Sequence, residues 1–383
     1  MPDKPRESVR EVALTFLRLG ATAFGGPAAH IGIFRHELVE RKQWLDDDQF
    51  LDLLGATNLI PGPNSTEMAI HLGYVRAGWI GLIAAGVCFI APAFLMVLAL
   101  AALYVHFGTT PTANALLYGI KPVIIAVVAN AVYMLLPKAF KNRLLWLTGF
   151  AVVMLYFFGV DELALLFGAG AAYVLIRRWL ETRTLALIAF LPLPGLVPLA
   201  QTFIPISLGT LFLTFLKLGG LLYGSGYVLL AFLRGDFVDS YGWITSQQLL
   251  DAVAIGQFTP GPLSTTATFI GYLVADVPGA IVATAGIFLP SFVFVAISSP
   301  LIPRMRRSKL FSALLDGVNA AAVGLMASVT VELGIAAIVD PLTAGLALGA
   351  LVLLVRFKVN ATIVILAGGL IGVIASAIGL VSI

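Results

Sequence analysis

The sequence predicts an all-α polytopic membrane protein built from two homologous repeats, and three observations lead to that prediction. Of its 383 residues, 60% are hydrophobic and only 11% are charged, with a mean hydropathy of +0.99. Soluble domains carry roughly 25% charged residues. A Pro-Gly-Pro run occurs twice within apolar sequence, at 61–63 and at 260–262. The two halves also match each other at a nearly constant offset, so the interruptions belong to a repeated unit.

The offset between the halves is 199 positions. The segment FLRLG at 16–20 returns as FLKLG at 215–219 (215 − 16 = 199). Matches of Gly or Leu mean little in so apolar a chain, but the rarer residues match as well. They pair Arg35 with Arg234, Trp44 with Trp243, Gln49 with Gln248, and Asp52 with Asp251. After the second break one residue is lost and the offset becomes 198. We therefore predict a first repeat at 1–183, a linker transmembrane helix at 184–206 and a second repeat at 207–383.

Each repeat begins with two segments that are too short to cross a membrane. In the first repeat, a Gly-Gly-Pro run separates 11–24 from 28–43, and Pro-Gly-Pro separates 46–59 from 64–75. A spanning helix needs about 20 apolar residues. We therefore predict two broken-helix, re-entrant-like hairpins per repeat, each entering and leaving on one side, although arms that span fully stay an alternative.

About four longer apolar runs per repeat follow the hairpins, and we expect these runs to span the membrane. They lie at 78–107, 113–137, 144–159 and 161–179 in the first repeat, at 184–203 in the linker, and at 277–299, 312–333, 337–355 and 360–381 in the second repeat.

The distribution of charge predicts that the repeats are inverted. With non-crossing hairpins, the basic clusters fall on one side, which should be cytoplasmic. The acidic pairs Asp161/Glu162 and Asp236/Asp239 fall on the other side, where Arg234 is the one basic exception. The linker helix makes the number of crossings between the halves odd. The two Pro-Gly-Pro breaks should then meet near the midplane, where inverted-repeat transporters place their sites.

The breaks are the predicted binding site. A Pro-Gly-Pro run cannot continue a helix, and the following helix start carries partial positive charge. The polar residues after each break can cap that start or bind an anion, and both interpretations stand. Asn58 and Gln257, which lie three positions before the breaks, can contact the substrate or brace the break. The predicted substrate-binding residues are Arg18, Lys217, Gly25, Gly26, Asn58, Gly62, Asn64, Ser65, Thr66, Gln257, Gly261, Ser264 and Thr265, with helix breaks at Pro61, Pro63, Pro260 and Pro262.

Arg18 and Lys217 are equivalent basic residues inside apolar segments. An ionised side chain in hydrocarbon is costly, so it normally faces a cavity or a partner. An arginine presents a planar fork of donors that suits an oxyanion. The alternative is snorkelling or pairing with an acid, and the hypotheses to test are Arg18 with Asp52 and Lys217 with Asp251.

Three titratable residues are candidates for a coupled proton. Glu67 and His71 are four positions apart, on one helix face, and Glu67 has no acid at its mirror position, Thr266. A structural pair is the competing interpretation for His71. His30 lies beside the Gly-Gly-Pro break. Lys121 is a weaker candidate, since its mirror is Asn319.

Other classes of function lack their signatures. The single Cys88 excludes disulfides, and the four His show no metal-ligand spacing. We find no phosphate-binding loop or nucleophile elbow, so we predict neither an enzyme nor a cofactor. A net charge of +3, scattered over short loops, does not indicate a nucleic-acid surface. The expected partners are an anion, protons and the lipid bilayer, and a homodimer is left open.

These motifs resemble those of the chromate ion transporter family. They are FLRLG (16–20), AFGGP (23–27), AHIG (29–32), WL (44–45), NLIPGPNS (58–65) and RAG (76–78), and the second half is similar to the family's more divergent second domain. The resemblance implies a two-domain transporter of the bacterial inner membrane that exports chromate on the proton-motive force and confers chromate resistance. It also implies that sulfate competes with chromate. As functional residues at the breaks, the resemblance selects Arg18, Gly25, Gly26, Pro61, Gly62 and Pro63. A sulfate or general oxyanion permease and a passive anion channel are the alternatives.

Overall fold

The computed structural model describes residues 7–24, 26–108, 110–182, 205–223, 226–298 and 309–381, and all regular structure within these ranges is helical. Gly25 and most of the predicted linker helix lie outside them. The first repeat contains α1 (Glu7–Thr22), α2 (Gly26–Phe34), a π-helical turn (Arg35–Arg41), α3 (Asp47–Thr57), α4 (Asn64–Phe107), α5 (Pro111–Ala139), α6 (Arg143–Phe157) and α7 (Glu162–Thr182). The second contains α8 (Leu208–Leu221), a 3₁₀ turn (Gly226–Val228), α9 (Leu229–Leu233), a π-helical turn (Arg234–Ser240), α10 (Ser246–Phe258), a 3₁₀ turn (Leu263–Thr265), α11 (Thr266–Ser298), α12 (Lys309–Ala337), α13 (Pro341–Arg356) and α14 (Ala361–Ala377).

The helices that follow the Pro-Gly-Pro breaks are both kinked, and the kinks are equivalent. Helix α4 leaves helical geometry at Ala77 and Gly78, and α11 does so at Ala275 and Asp276, 198 positions later. Gly78 has φ 63° and Asp276 has φ 49°. Each kink divides its long helix into a short arm and a longer stretch. In α4 the division falls between the predicted return piece (64–75) and the predicted long run (78–107).

The second hairpin of each repeat starts with the same capping device. Asp46 accepts a hydrogen bond from the backbone N–H of Gln49 at 2.8 Å, and the Gln49 side chain returns one to the Asp46 backbone. Thr245 and Gln248 form the equivalent box before α10. Such caps satisfy donors that a helix start leaves free, so these two helices begin at fixed residues.

Five helical stretches within the described residues are long and apolar enough to cross a membrane. They are Asn64–Phe107, Pro111–Ala139, Glu162–Leu180, Leu263–Ser298 and Ser312–Ala337. The other apolar helices are shorter, and α6, with 15 residues, is about 22 Å long at 1.5 Å per residue. The sequence predicts about four spans per repeat. Among the described residues, three helices of the first repeat and two of the second are long enough to span.

The two repeats exchange equivalent packing partners. Helix α1 packs on α4, α8 packs on α11, and α4 and α11 pack against each other. Helix α5 of the first repeat packs on α13 and α14, while its equivalent α12 packs on α6 and α7. A Cβ added at Gly20 or Gly219 would overlap the backbone carbonyl of Phe89 or Ile287. The duplication read from the sequence therefore appears again in the packing of the helices.

Candidate functional site

The helix breaks of the two repeats are bonded to each other. The backbone N–H of Gly62 donates to the carbonyl of Leu222 at 2.6 Å, and that of Gly261 donates to the carbonyl of Ala23 at 2.9 Å. These bonds are equivalent, since both donors and both acceptors are 199 positions apart. Each Pro-Gly-Pro break is thus joined to the end of the first helix of the other repeat. The two bonds therefore join the Pro-Gly-Pro breaks to the opposite repeat in two equivalent pairs.

Both central glycines occupy positions that another residue could not. Gly62 has φ 143° and Gly261 has φ 94°, values that favour glycine. A Cβ at Gly62 would overlap the carboxylate of Glu67 and lie 2.8 Å from Ser291 Oγ. At Gly261 it would lie 2.8 Å from the Ala93 Cβ. The turn and the close approach each require glycine.

The helix starts after the breaks are not capped in the way that the sequence indicates. The residue preceding α4 is Pro63, which has no side chain that can cap. Thr66 is buried and its hydroxyl has no hydrogen-bond partner. In the second repeat the Thr265 hydroxyl donates to the Pro262 carbonyl at 2.8 Å. Of the two interpretations of these residues, hydroxyl capping is wrong, because Pro63 and Pro262 take the N-cap positions and the hydroxyls follow two and three residues later.

Asn58 and Gln257 end the arms that precede the breaks. The Asn58 side chain accepts a hydrogen bond from Asn64 Nδ2 at 2.9 Å, across the break. This contact is the bracing role, one of the two roles left open for Asn58. Gln257 lies in the last turn of α10, immediately before Phe258 and the second break.

The first eight residues of α4 include buried polar groups with no hydrogen-bond partner among the described residues. Glu67 is fully buried, and neither of its carboxylate oxygens has a hydrogen-bond partner. His71 Nε2, one turn later, is in the same state, as are Ser264 Oγ and Ser291 Oγ of the second repeat. Leaving such a group unpaired costs about 1–3 kcal/mol. So many in one place mark a functional region better than a structural core.

His30 is tied directly to a break. Its ring is fully buried, and its Nε2–H donates to the Ala23 carbonyl at 3.0 Å. That carbonyl also accepts from Gly261, so His30 and the second Pro-Gly-Pro break share one acceptor. The mirror residue is Leu229, which offers no such donor. Gly26 begins α2 with φ 77°, immediately after the break.

Arg18 and Lys217, the two bases in apolar segments, form ion pairs with different acids from those hypothesised. Arg18 pairs with Glu37, and Lys217 pairs with Asp236 at 2.7 Å. The acids are themselves equivalent (37 + 199 = 236), and each lies on a π-helical turn. The hypotheses that named Asp52 and Asp251 overlooked these acids, which their matching offset could have revealed.

Environment distinguishes the two acids. Burial alone would raise the pKa of Glu37, but hydrogen bonds from Arg18 and Arg41 outweigh it and hold the pKa below its usual range. Burial raises the pKa of Asp236, and Lys217 offsets this only in part. The two equivalent acids therefore differ in the direction in which their surroundings shift the pKa.

Asp251 pairs with a base from the other repeat. Its Oδ1 lies 3.1 Å from Lys121 Nζ, and its Oδ2 accepts from the Tyr104 hydroxyl at 2.8 Å. The side chains of Asp251 and Lys121 are 4% and 18% exposed. Interpreting Asp251 as the partner of a nearby base is correct, but the partner is Lys121 instead of Lys217. Sequence reasoning undervalued Lys121 because Asn319 stands at its mirror position.

Comparison with known proteins agrees with the repeat and with the motifs. The family model for chromate transporters matches residues 10–174 and again 209–373, a displacement of 199. A chromate transport protein of Cupriavidus metallidurans is 38% identical over 377 residues, covering 97% of this chain and 94% of that protein. One of Pseudomonas aeruginosa is 33% identical over 386 residues, covering 96% and 92%. An uncharacterized transporter of Methanocaldococcus jannaschii is 27% identical over 347 residues, covering 87% and 86%.

No solved structure matches the chain. With a family match over both halves and five apolar helices of spanning length among the described residues, the protein is a multi-pass membrane protein. The chain belongs to the chromate transporter family.

Proposed function

We propose that this protein is a secondary active transporter that exports chromate across the bacterial inner membrane and so confers chromate resistance. The observation that carries the proposal is the pair of reciprocal bonds between broken helices, Gly62 to Leu222 and Gly261 to Ala23. Broken helices that meet between two repeats are the usual architecture of a transporter binding site. The relatives named as chromate transport proteins supply the substrate.

The proposed architecture is an inverted repeat with re-entrant hairpins. The repeats are 1–183 and 207–383, and a linker helix at 184–206 joins them. Helix α3, with 11 residues, is about 17 Å long, which is short of the roughly 30 Å hydrocarbon core. Cysteine labelling in a Cys88→Ala background tests the inversion. Reagent should reach positions 76 and 276 from opposite faces, and labelling from one face would contradict it.

The proposed substrate site lies around the four breaks, where helix starts and small polar groups can receive a tetrahedral dianion. Partial positive charge at the starts of α4 and α11 favours an anion there. The proposed contacts are Gly25, Gly26, Asn58, Gly62, Asn64, Ser65, Thr66, Gln257, Gly261, Ser264 and Thr265, with Arg18 and Lys217 contributing charge.

Proton coupling is proposed for Glu67, with His71 and His30 as the other candidates. Glu67 supports the assignment because its buried carboxylate lies against Gly62, so its charge and the geometry of the break are linked. Only one repeat carries it, as suits a single coupling site. The variant Glu67→Gln should remove the stimulation of transport by a pH gradient.

Chromate uptake into inside-out membrane vesicles tests the proposal. We expect saturable uptake that is stimulated by an imposed pH gradient and that excess sulfate lowers but does not abolish. Uptake unaffected by the gradient and abolished by sulfate would favour a general oxyanion permease. Uptake that does not saturate would favour a passive anion channel.

A further inference from the structure

A positively charged cavity lies beside the first ion pair. Helix α1 and the first π-helical turn border an open cavity of about 430 Å³. The cavity is lined by Leu14, Thr15, Arg18, Glu37, Arg41 and Lys42. Three of these side chains are cations and one is an anion.

The charges around this cavity do not balance. Next to Lys42, which lines the cavity, Glu11 accepts hydrogen bonds from Lys42 Nζ at 3.2 Å and from Arg76 at 2.9 Å. Four cations (Arg18, Arg41, Lys42 and Arg76) therefore face two carboxylates (Glu11 and Glu37) among the side chains that the structure describes. The surplus is two positive charges, which one bound dianion would neutralise.

Glu37 occupies the donors that such a dianion would use. Its Oε1 pairs with Arg18, and its Oε2 pairs with Arg41 at 3.2 Å. The two oxygens of a carboxylate bind guanidinium groups much as two oxygens of a tetrahedral oxyanion do. Glu37 is 8% exposed, whereas Arg18 and Arg41 are 48% and 63% exposed. An incoming anion can therefore reach the two arginines.

We infer that this cavity is an acceptance site for a tetrahedral dianion. The anion replaces Glu37 as the ion-pair partner of Arg18 and Arg41. The carboxylate acts as a built-in competitor that keeps the bases paired until substrate arrives. The inference rests on the proposed function, since it assigns a first binding step to the same class of substrate.

The backbone around Glu37 is suited to such an exchange. Its carbonyl accepts from the Lys42 N–H at 3.0 Å, five residues on, in a π-helical turn. Turns of this kind are rare and occur frequently at functional sites. The equivalent acid, Asp236, bonds in the same way to the Tyr241 N–H at 2.9 Å and pairs with Lys217. An acid on a π-turn opposite a base is thus part of the repeated unit.

The test is calorimetric binding of sulfate to the purified full chain in phosphatidylcholine nanodiscs. Glu37→Gln should tighten sulfate binding about tenfold, because it removes a negative charge close to the dianion and frees Arg18. The matched control is Glu40→Gln on the same turn, since Glu40 is exposed and bonds to Arg35 and His36. This control should leave binding unchanged. Weaker or unaltered binding by Glu37→Gln would overturn the inference, because Glu37 would then only position Arg18.

A second variant keeps the test valid if Glu37→Gln fails to fold. Arg41→Gln changes an exposed side chain and should weaken sulfate binding at least fivefold, and unchanged binding would overturn the inference.

Chromate uptake in vesicles separates the two proposals. If sulfate binding responds as expected but wild-type vesicles take up no chromate, the acceptance site stands and chromate export fails. If chromate is exported but Glu37→Gln binds sulfate like the wild type, only the acceptance site fails.

Discussion

The buried pair of Lys121 and Asp251 offers a quantitative test of what holds the two repeats together. Lys121 lies on α5 of the first repeat and Asp251 lies on α10 of the second, at 3.1 Å, with Tyr104 donating to the other oxygen. Removing one partner of a buried pair leaves an uncompensated charge and costs about 3–5 kcal/mol. We expect a loss of this size in the free energy of unfolding for both Asp251→Asn and Lys121→Met.

The chain contains a matched control for this pair. Lys141 and Asp316 join the same residue types across the repeats at 2.6 Å, but their side chains are 58% and 19% exposed. An exposed pair contributes only about 0–1 kcal/mol. Asp316→Asn should therefore cost far less than Asp251→Asn. The double variant Lys121→Met/Asp251→Asn should cost clearly less than the sum of the two single changes, because no charge is left unpaired.

Reversible unfolding in mixed detergent micelles, with increasing fractions of denaturing detergent, measures these differences. The reasoning is refuted if Asp251→Asn costs no more than Asp316→Asn. That result would mean that the buried pair contributes no more to stability than the exposed one.

Three further predictions concern the breaks and the caps. Gly62→Ala should abolish chromate uptake, because the added Cβ overlaps Glu67 at φ 143°, whereas Gly32→Ala, with open space around it, should retain uptake at equal protein level. Asp46→Ala should lower the free energy of unfolding by about 0.5–2 kcal/mol, and Thr245→Ala by a similar amount, since each removes one capping box; no loss in either would show that packing alone starts these helices. Glu67→Gln should leave downhill chromate flux measurable but insensitive to a pH gradient, and gradient-stimulated flux in this variant would transfer the coupling role to another group.

Local chemistry allowed the helical membrane class, the duplication and the positions of the breaks to be predicted from the sequence. A Pro-Gly-Pro run interrupts a helix in any context. A duplicated pattern of Trp, Arg and Asp can still be recognised after the two copies have diverged. The motifs also identified the family. The kink at Ala77 and Gly78 falls where the predicted short segment ends and the predicted long apolar run begins.

Contacts between distant parts of the chain were decided only by the tertiary structure. Arg18 could have paired with any acid that the fold brought near, and the choice of Glu37 over Asp52 depends on how α1 packs beside the π-helical turn. The bond between Gly261 and Ala23 joins residues of different repeats, and no local pattern encodes it. Side-chain type and spacing along the chain predict which helices form and where they break. The partner of each buried charge depends on which helices meet, and only packing of the whole chain determines that.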